Sequence, residues 1–288
     1  LRVHQKHGHR APHKPLLLLY ALGELRRGAL EIPFERIEQR VGSLLREFGT
    51  SHEARQPAPA LPFWHLRNDG LWTVQADAEL PMGANGKRPN LGDLRRLHAR
   101  GRMPEDVAAA LRRDPKLVAE VAHRLLDEHF APSQHQDILD AVGLTPVDDL
   151  VVSVRRRRDP EFRGRVLTAY QRRCAVCGFG LRLGDDSVAV EAAHIRWHNH
   201  HGPDVEPNGL ALCALHHKVF DRGAFTIDHH HRLLVSEHAL GDGLDWALLH
   251  HHGKPIAAPI RPEHRPAAEF VDWHHGQVFR QRARPLSA

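Results

Sequence analysis

All three cysteines of this 288-residue chain fall in one short stretch, as Cys174-x2-Cys177 and then Cys213-x2-His216. Two such pairs at this separation can close a tetrahedral Cys3His zinc site, with His216 as the fourth ligand. A staple of that kind constrains the fold strongly, because it ties the turn at 174–177 to whatever element begins near 213. His217 is left outside it. Neighbours on a helix point about 100° apart, so His217 projects away from the metal that His216 holds. Asp186 to His194 reads as a strand, with Val188 and Val190 alternating with small or polar residues. A loop from Arg196 to Pro207 contains Gly202-Pro203-Asp204. Leu210, Leu212 and Leu215 then lead into a helix that reaches about Phe220 and stops at Gly223.

The length allows two domains, each with its own core. Hydrophobic residues make up 41% of the chain. The strongest apolar run, Leu16 to Leu19, is far shorter than a membrane span, so a buried first helix is expected there and no membrane partner. Three cysteines taken up by a metal point to a reducing compartment, and the expected location is cytoplasmic. The net charge is +5 with 26 histidines counted neutral. A modestly basic surface favours a polyanionic partner. The histidine runs 229–231 and 250–252 lack the spacing of a closed metal site and read as solvated surface.

The first part of the chain reads as helix-rich. Pro15 sits in the first turn before Leu16–Leu25. A second helix follows Pro33, with Ile37, Val41, Leu44, Leu45 and Phe48 on one face and Gly49 as its stop. Leu61 to Arg67, the turn Asn68-Asp69-Gly70, and Leu71 to Gln75 predict a small β-hairpin. Phe63 and Trp64 would belong to its core. Asp114-Pro115 opens a helix carrying Val118, Val121 and Leu125, and a last one spans roughly Ser133 to Ala141. Residues 146–160, with Arg155 to Arg158, form a basic linker that is expected to track phosphates. A helix from Glu161 to Arg173 leads into the zinc turn. Strands follow near Ala224–Ile227 and Arg232–Ser236, and Trp246, Trp273 and Phe279 suggest a packed tail. The fold class is α+β, with domains at 1–145 and 161–288.

His194, Asn208 and His217, in that order around the cysteine pairs, resemble the signature of the HNH nucleases. That resemblance implies a ββα-metal fold that cuts nucleic acid with a bound divalent metal. His194 would be the general base, and a reference pKa near 6.5 leaves it able to accept a proton. His217 would be a ligand of a catalytic Mg2+ or Mn2+. Asn208 would orient the loop or the base, and the Cys3His zinc would be structural. Many HNH enzymes carry Asp or His before the base, where this chain has Ala193. The Ala-Ala-His-Ile form, with His216-His217-Lys218-x-Phe220-Asp221-Arg222-Gly223, is similar to one HNH subgroup that shares this feature. Glu191 or Asp221 would contribute a further ligand, the alternatives being a surface carboxylate and a helix-end ion pair.

His7 to Tyr20, Leu61 to Leu66 and Asn68 to Trp72 resemble the sulfur-binding domain of McrA-type restriction enzymes, which recognise phosphorothioate DNA. By that likeness His9 and Arg10 would stand near the modified phosphate, and Leu61, Pro62 and His65 would line a shallow apolar pocket. Sulfur is larger and a poorer acceptor than oxygen, and oxygen without partners is costly to bury. The family commonly has Tyr at the position of Leu61. Lys87, Arg88 and Arg100 would add phosphate or base contacts. The resemblance implies a type IV, modification-dependent endonuclease acting on double-stranded DNA, and one nuclease site per chain implies a homodimer. The alternatives are an HNH nuclease directed at another DNA modification, or a non-catalytic zinc-bearing DNA-binding regulator.

Overall fold

A computed structural model describes residues 12–50, 56–83, 86–144 and 161–286, with the backbone of 5–6 and 9–10. The expected linker at 146–160, including Arg155 to Arg158, lies outside the described residues. The chain divides into two compact units, Leu1–Val154 and Arg155–Ala288.

In the first unit, β1 (Gln5–Lys6) and β2 (His9–Arg10) pair antiparallel. Helix α1 (His13–Arg26) follows, and Leu16 to Leu22 along it are all buried. A helix apolar all round belongs at the centre of a core, and α1 occupies that place. Ile32–Pro33 forms β3. Helix α2 (Phe34–Phe48) lays the expected face of Ile37, Val41, Leu44, Leu45 and Phe48 into the core and ends at Gly49.

The predicted hairpin does not form. Ala60–His65 is a helix, α3, and runs into a 3-10 turn at Leu66–Asp69 that ends at Gly70. Pro62 sits in the first turn of α3, where its missing N–H costs nothing. Phe63 and Leu66, three apart, are buried by helical rather than strand periodicity. Phe63 is core as expected, with its ring 4.9 Å from that of Phe34. Thr73–Gln75 is a strand, β4, but its partner is distant in sequence. Leu91–Arg96 (α4) is capped by Asn90, and the following β5 (Arg100–Arg102) lies between β3 and β4. Helices α5 (Glu105–Arg113), α6 (Pro115–His129) and α7 (His135–Val142) complete the unit. Asp114 caps α6 as its Asp-Pro start predicts.

The second unit opens with α8 (Phe162–Ala169), shorter than expected, followed by the turn carrying Cys174 and Cys177 and a ribbon of β6 (Arg182–Leu183) and β7 (Asp186–Ser187). Strand β8 (Val190–His194) pairs antiparallel with β9 (Gly209–Cys213), with His194 opposite Gly209 and Val190 opposite Cys213. Leu210 and Leu212 therefore belong to a strand and not to the approach of a helix. All five residues of β9 are buried, and a short continuous apolar run carries no period that separates buried strand from buried helix. Helix α9 (Ala214–Asp221) follows directly and closes at Gly223. The result is a ββα unit.

Strands β10 (Phe225–Ile227) and β11 (Leu233–Val235) pair, and α10 (Leu244–Ala247) and α11 (Ala268–Gln277) finish the chain. Phe279 is buried as expected, whereas Trp246 is 68% exposed. No helix among the described residues is long and apolar enough to cross a membrane.

Candidate functional site

The four predicted zinc ligands converge. The sulfurs of Cys174, Cys177 and Cys213 and a ring nitrogen of His216 all lie within 4.8 Å of one another. His216 Nδ1 is 3.1 Å from Cys213 Sγ and 3.6 Å from Cys174 Sγ, and the Cys177 and Cys213 sulfurs are 3.9 Å apart. Ligand atoms around a tetrahedral zinc stand about 3.5–3.8 Å apart at ordinary bond lengths, so the set fits that ion. The other ring nitrogen, Nε2, donates to the Ala247 carbonyl at 2.8 Å, which leaves Nδ1 as the ligating atom. A hydrogen bond from the Cys213 thiol is the main cause that holds the Cys174 thiol well below its usual range. The chemistry thus favours a thiolate at the centre of the cluster.

His217 points out of this cluster. Its Nδ1 is 2.5 Å from Glu191 Oε2 and its Nε2 is 3.3 Å from Asp221 Oδ2. Burial alone would lower its pKa, but the Asp221 and Glu191 carboxylates outweigh that and raise it to about 10. The two carboxylates differ in setting. Asp221 is buried at 2% side-chain exposure, and its Oδ1 accepts from the Trp197 indole N–H at 3.1 Å; Glu191 is 50% exposed. A ring bracketed on both nitrogens can grip one cation from one side only. The carboxylate on the other side then fixes the tautomer.

His194, at the end of β8, forms a second group. Its Nε2 is 2.7 Å from Asp204 Oδ1, and its ring stacks on Phe162 with centroids 4.2 Å apart. Asn208 is fully buried. Its Oδ1 accepts from the Arg196 N–H at 2.8 Å, and its Nδ2 donates to the Arg196 and Pro203 carbonyls at 3.0 and 2.9 Å. Of the two roles expected for this amide, its bonds serve the loop. Gly202 is required within that loop, since a Cβ there would stand 1.8 Å from the Arg196 carbonyl oxygen. Glu191 and His194 are three residues apart on β8, roughly 10 Å along a strand. Asp204 and Trp197 were not singled out from sequence, because lone residues in irregular segments carry no periodic signal, and neither was Phe162 at the start of α8.

In the first unit, Leu61, Pro62 and His65 share α3, with Pro62 buried and the other two partly so. Burial and the charges of Lys14, Arg88 and Arg67 hold His65 below its ordinary pKa. Three cations thus act on the His65 imidazole, two of which, Lys14 and Arg67, the sequence did not mark. Arg67 lies over the Trp64 ring at 3.4 Å, and Lys14 pairs with Asp69 at 2.5 Å. Lys87 is exposed. Arg100, on β5, is paired with Asp77 at 2.6 Å. His9 and Arg10 lie on β2, and their side chains are outside the described residues.

A Cys3His-stapled ββα unit with clustered histidines and carboxylates defines the HNH class of nuclease domain, and residues 174–228 match the HNH endonuclease family. The chain as a whole belongs to the family described as ScoMcrA-like, DNA sulfur-binding domain, which matches residues 1–147. Several solved structures are similar over about half of the chain. The sulfur-binding domain of ScoMcrA complexed with phosphorothioated DNA is 25% identical, over 51% of this chain and 92% of that one, at TM-score 0.42. The sulfur-binding and SRA domains of ScoMcrA in such a complex are 28% identical over 51% of this chain and 45% of that one, at TM-score 0.45. The type IV phosphorothioation-dependent restriction endonuclease ScoMcrA is 27% identical over 47% of this chain, at TM-score 0.41, and the match spans only 29% of that endonuclease. Among curated proteins none matches.

Proposed function

We propose that this chain is a phosphorothioate-dependent DNA endonuclease, in which the first unit finds the modified backbone and the second hydrolyses a phosphodiester nearby. One observation carries the reading: a sulfur-binding family match over 1–147 and an HNH match over 174–228 in the same chain. His194 takes the proton from the attacking water. A divalent cation, Mg2+ or Mn2+, supplies positive charge to the phosphoryl oxygens when bound. His217 Nδ1 and Glu191 would hold that cation, while buried Asp221 orients the imidazole through Nε2. Asn208 fixes the loop, and the Cys3His zinc is structural because its four protein ligands leave no open position.

In the first unit, Leu61, Pro62 and His65 form the floor that accepts sulfur. Lys14, Arg67 and Arg88 draw in the flanking phosphates, with His9, Arg10, Lys87 and Arg100 as further contacts. The substrate is double-stranded DNA, and two copies of the chain cut the two strands from a cytoplasmic location.

The test is metal-dependent cleavage of a phosphorothioate-bearing duplex by the full chain. His194→Ala is expected to slow it by at least about 10²-fold, the usual worth of a positioned base, and His217→Ala to slow it through loss of the cation's ligand. Variants that cut as fast as the parent would sink the active-site assignment and favour a non-catalytic DNA-binding protein.

A further inference from the structure

We infer that Asp204 is the positioning residue of the base, holding His194 in the tautomer whose lone pair is on Nδ1. The inference rests on the proposed role of His194. The carboxylate accepts from Nε2 at 2.7 Å with both side chains almost buried, at 13% and 14% exposure. An imidazole that donates from Nε2 presents Nδ1 as its acceptor. The carboxylate also stabilises the imidazolium that forms when Nδ1 takes a proton, and the proton stays on the ring.

The surroundings are built to keep this pair together. Helix α8 contributes two side chains one turn apart. Phe162 stacks on the His194 ring, and Arg165 donates to the Asp204 carbonyl at 2.6 Å and to Glu206 Oε1 at 3.1 Å. From the far side, Asn208 binds the carbonyl of Pro203, the residue before Asp204. The ring and the backbone that carries the carboxylate are thus each fixed independently of the hydrogen bond between the two side chains. The second carboxylate oxygen of Asp204 faces His198 Nε2 at 3.8 Å. Gly209 lets α8 come this close, since a Cβ there would stand 2.4 Å from Val166 Cγ2.

The pair D204N and D204A separates positioning from simple bulk or charge. An Asn amide at this place can donate to Nε2 and so drive the proton onto Nδ1, whereas Ala leaves both tautomers open. Single-turnover cleavage of a phosphorothioate-bearing duplex with Mn2+ should therefore fall about 10²-fold or more in D204N and only about tenfold in D204A. The acid limb of the rate–pH profile should move to lower pH in D204A, and D204E should recover part of the rate. H194A is run beside them, with melting curves for each variant. Loss in H194A with full activity in D204N overturns the Asp204 inference alone, as does D204A being as slow as D204N at unchanged melting temperature. Full activity in H194A overturns the role of His194 and, with it, this inference.

Discussion

His216 and His217 are adjacent, and the fold gives them unrelated tasks. One turns inward with three sulfurs and the other outward between two carboxylates. The helical step alone predicts that divergence, and it is why the metal cluster and His217 were legible as separate features. Asp204 was not, because nothing in a Gly-Pro-Asp turn says which side chain it will meet. A third histidine shows the cost of complete burial. His274 on α11 stacks on Phe220 at 3.8 Å, accepts from the Thr226 hydroxyl at 2.9 Å and donates to the Phe220 carbonyl at 3.2 Å. Burial lowers its pKa from 6.5 to about 3. The unfolded chain then binds this proton first as pH falls, so the contribution of neutral His274 is complete above about 6.5 and is lost toward 3, at up to about 1.4 kcal/mol per pH unit. Thermal melts at pH 7.5 and 5 should show a smaller drop in His274→Phe than in the parent. Equal drops would mean that this histidine is not the acid-sensitive group.

At the level of elements, helices with clear periodicity were legible: α1 as a buried centre, α2 by its apolar face, α6 by its Asp-Pro start. The errors have a shared cause. Ala60–His65 and Gly209–Cys213 are short apolar runs whose type is decided by tertiary partners, α1 in the first case and β8 in the second. The Cys3His cluster joins the turn after α8 to the junction of β9 and α9, so zinc should stabilise the second unit as a whole. Folding free energy gained from a structural zinc is large, on the order of 10 kcal/mol in small zinc modules. Chelation, or Cys213→Ser, should lower the melting temperature of that unit and release one zinc per chain by metal analysis. A variant that keeps both its zinc and its melting temperature would contradict the staple.

Across the whole molecule, the proposed targeting and cutting fall to different units, so they should fail separately. Each of the two compact units carries its own motif: the cysteine pairs in one, the segments His7 to Tyr20 and Leu61 to Leu66 in the other. The proposed recognition surface draws on residues the sequence singled out and on others it did not. Leu61, Pro62 and His65 do share α3, yet the nearby Lys14 and Arg67 come from segments whose sequence reads as an ordinary helix start and turn. The most direct measurement is a gel shift with two duplexes of one sequence, one bearing a single phosphorothioate of defined stereochemistry, with no divalent metal added. It would be repeated over several core sequences with the full chain. A preference of at least about tenfold for the sulfur-bearing duplex in some context, worth about 1.4 kcal/mol and reduced in Pro62→Ala, is the predicted result. Equal binding of both duplexes in every context would contradict the account and leave an HNH nuclease directed at a different mark.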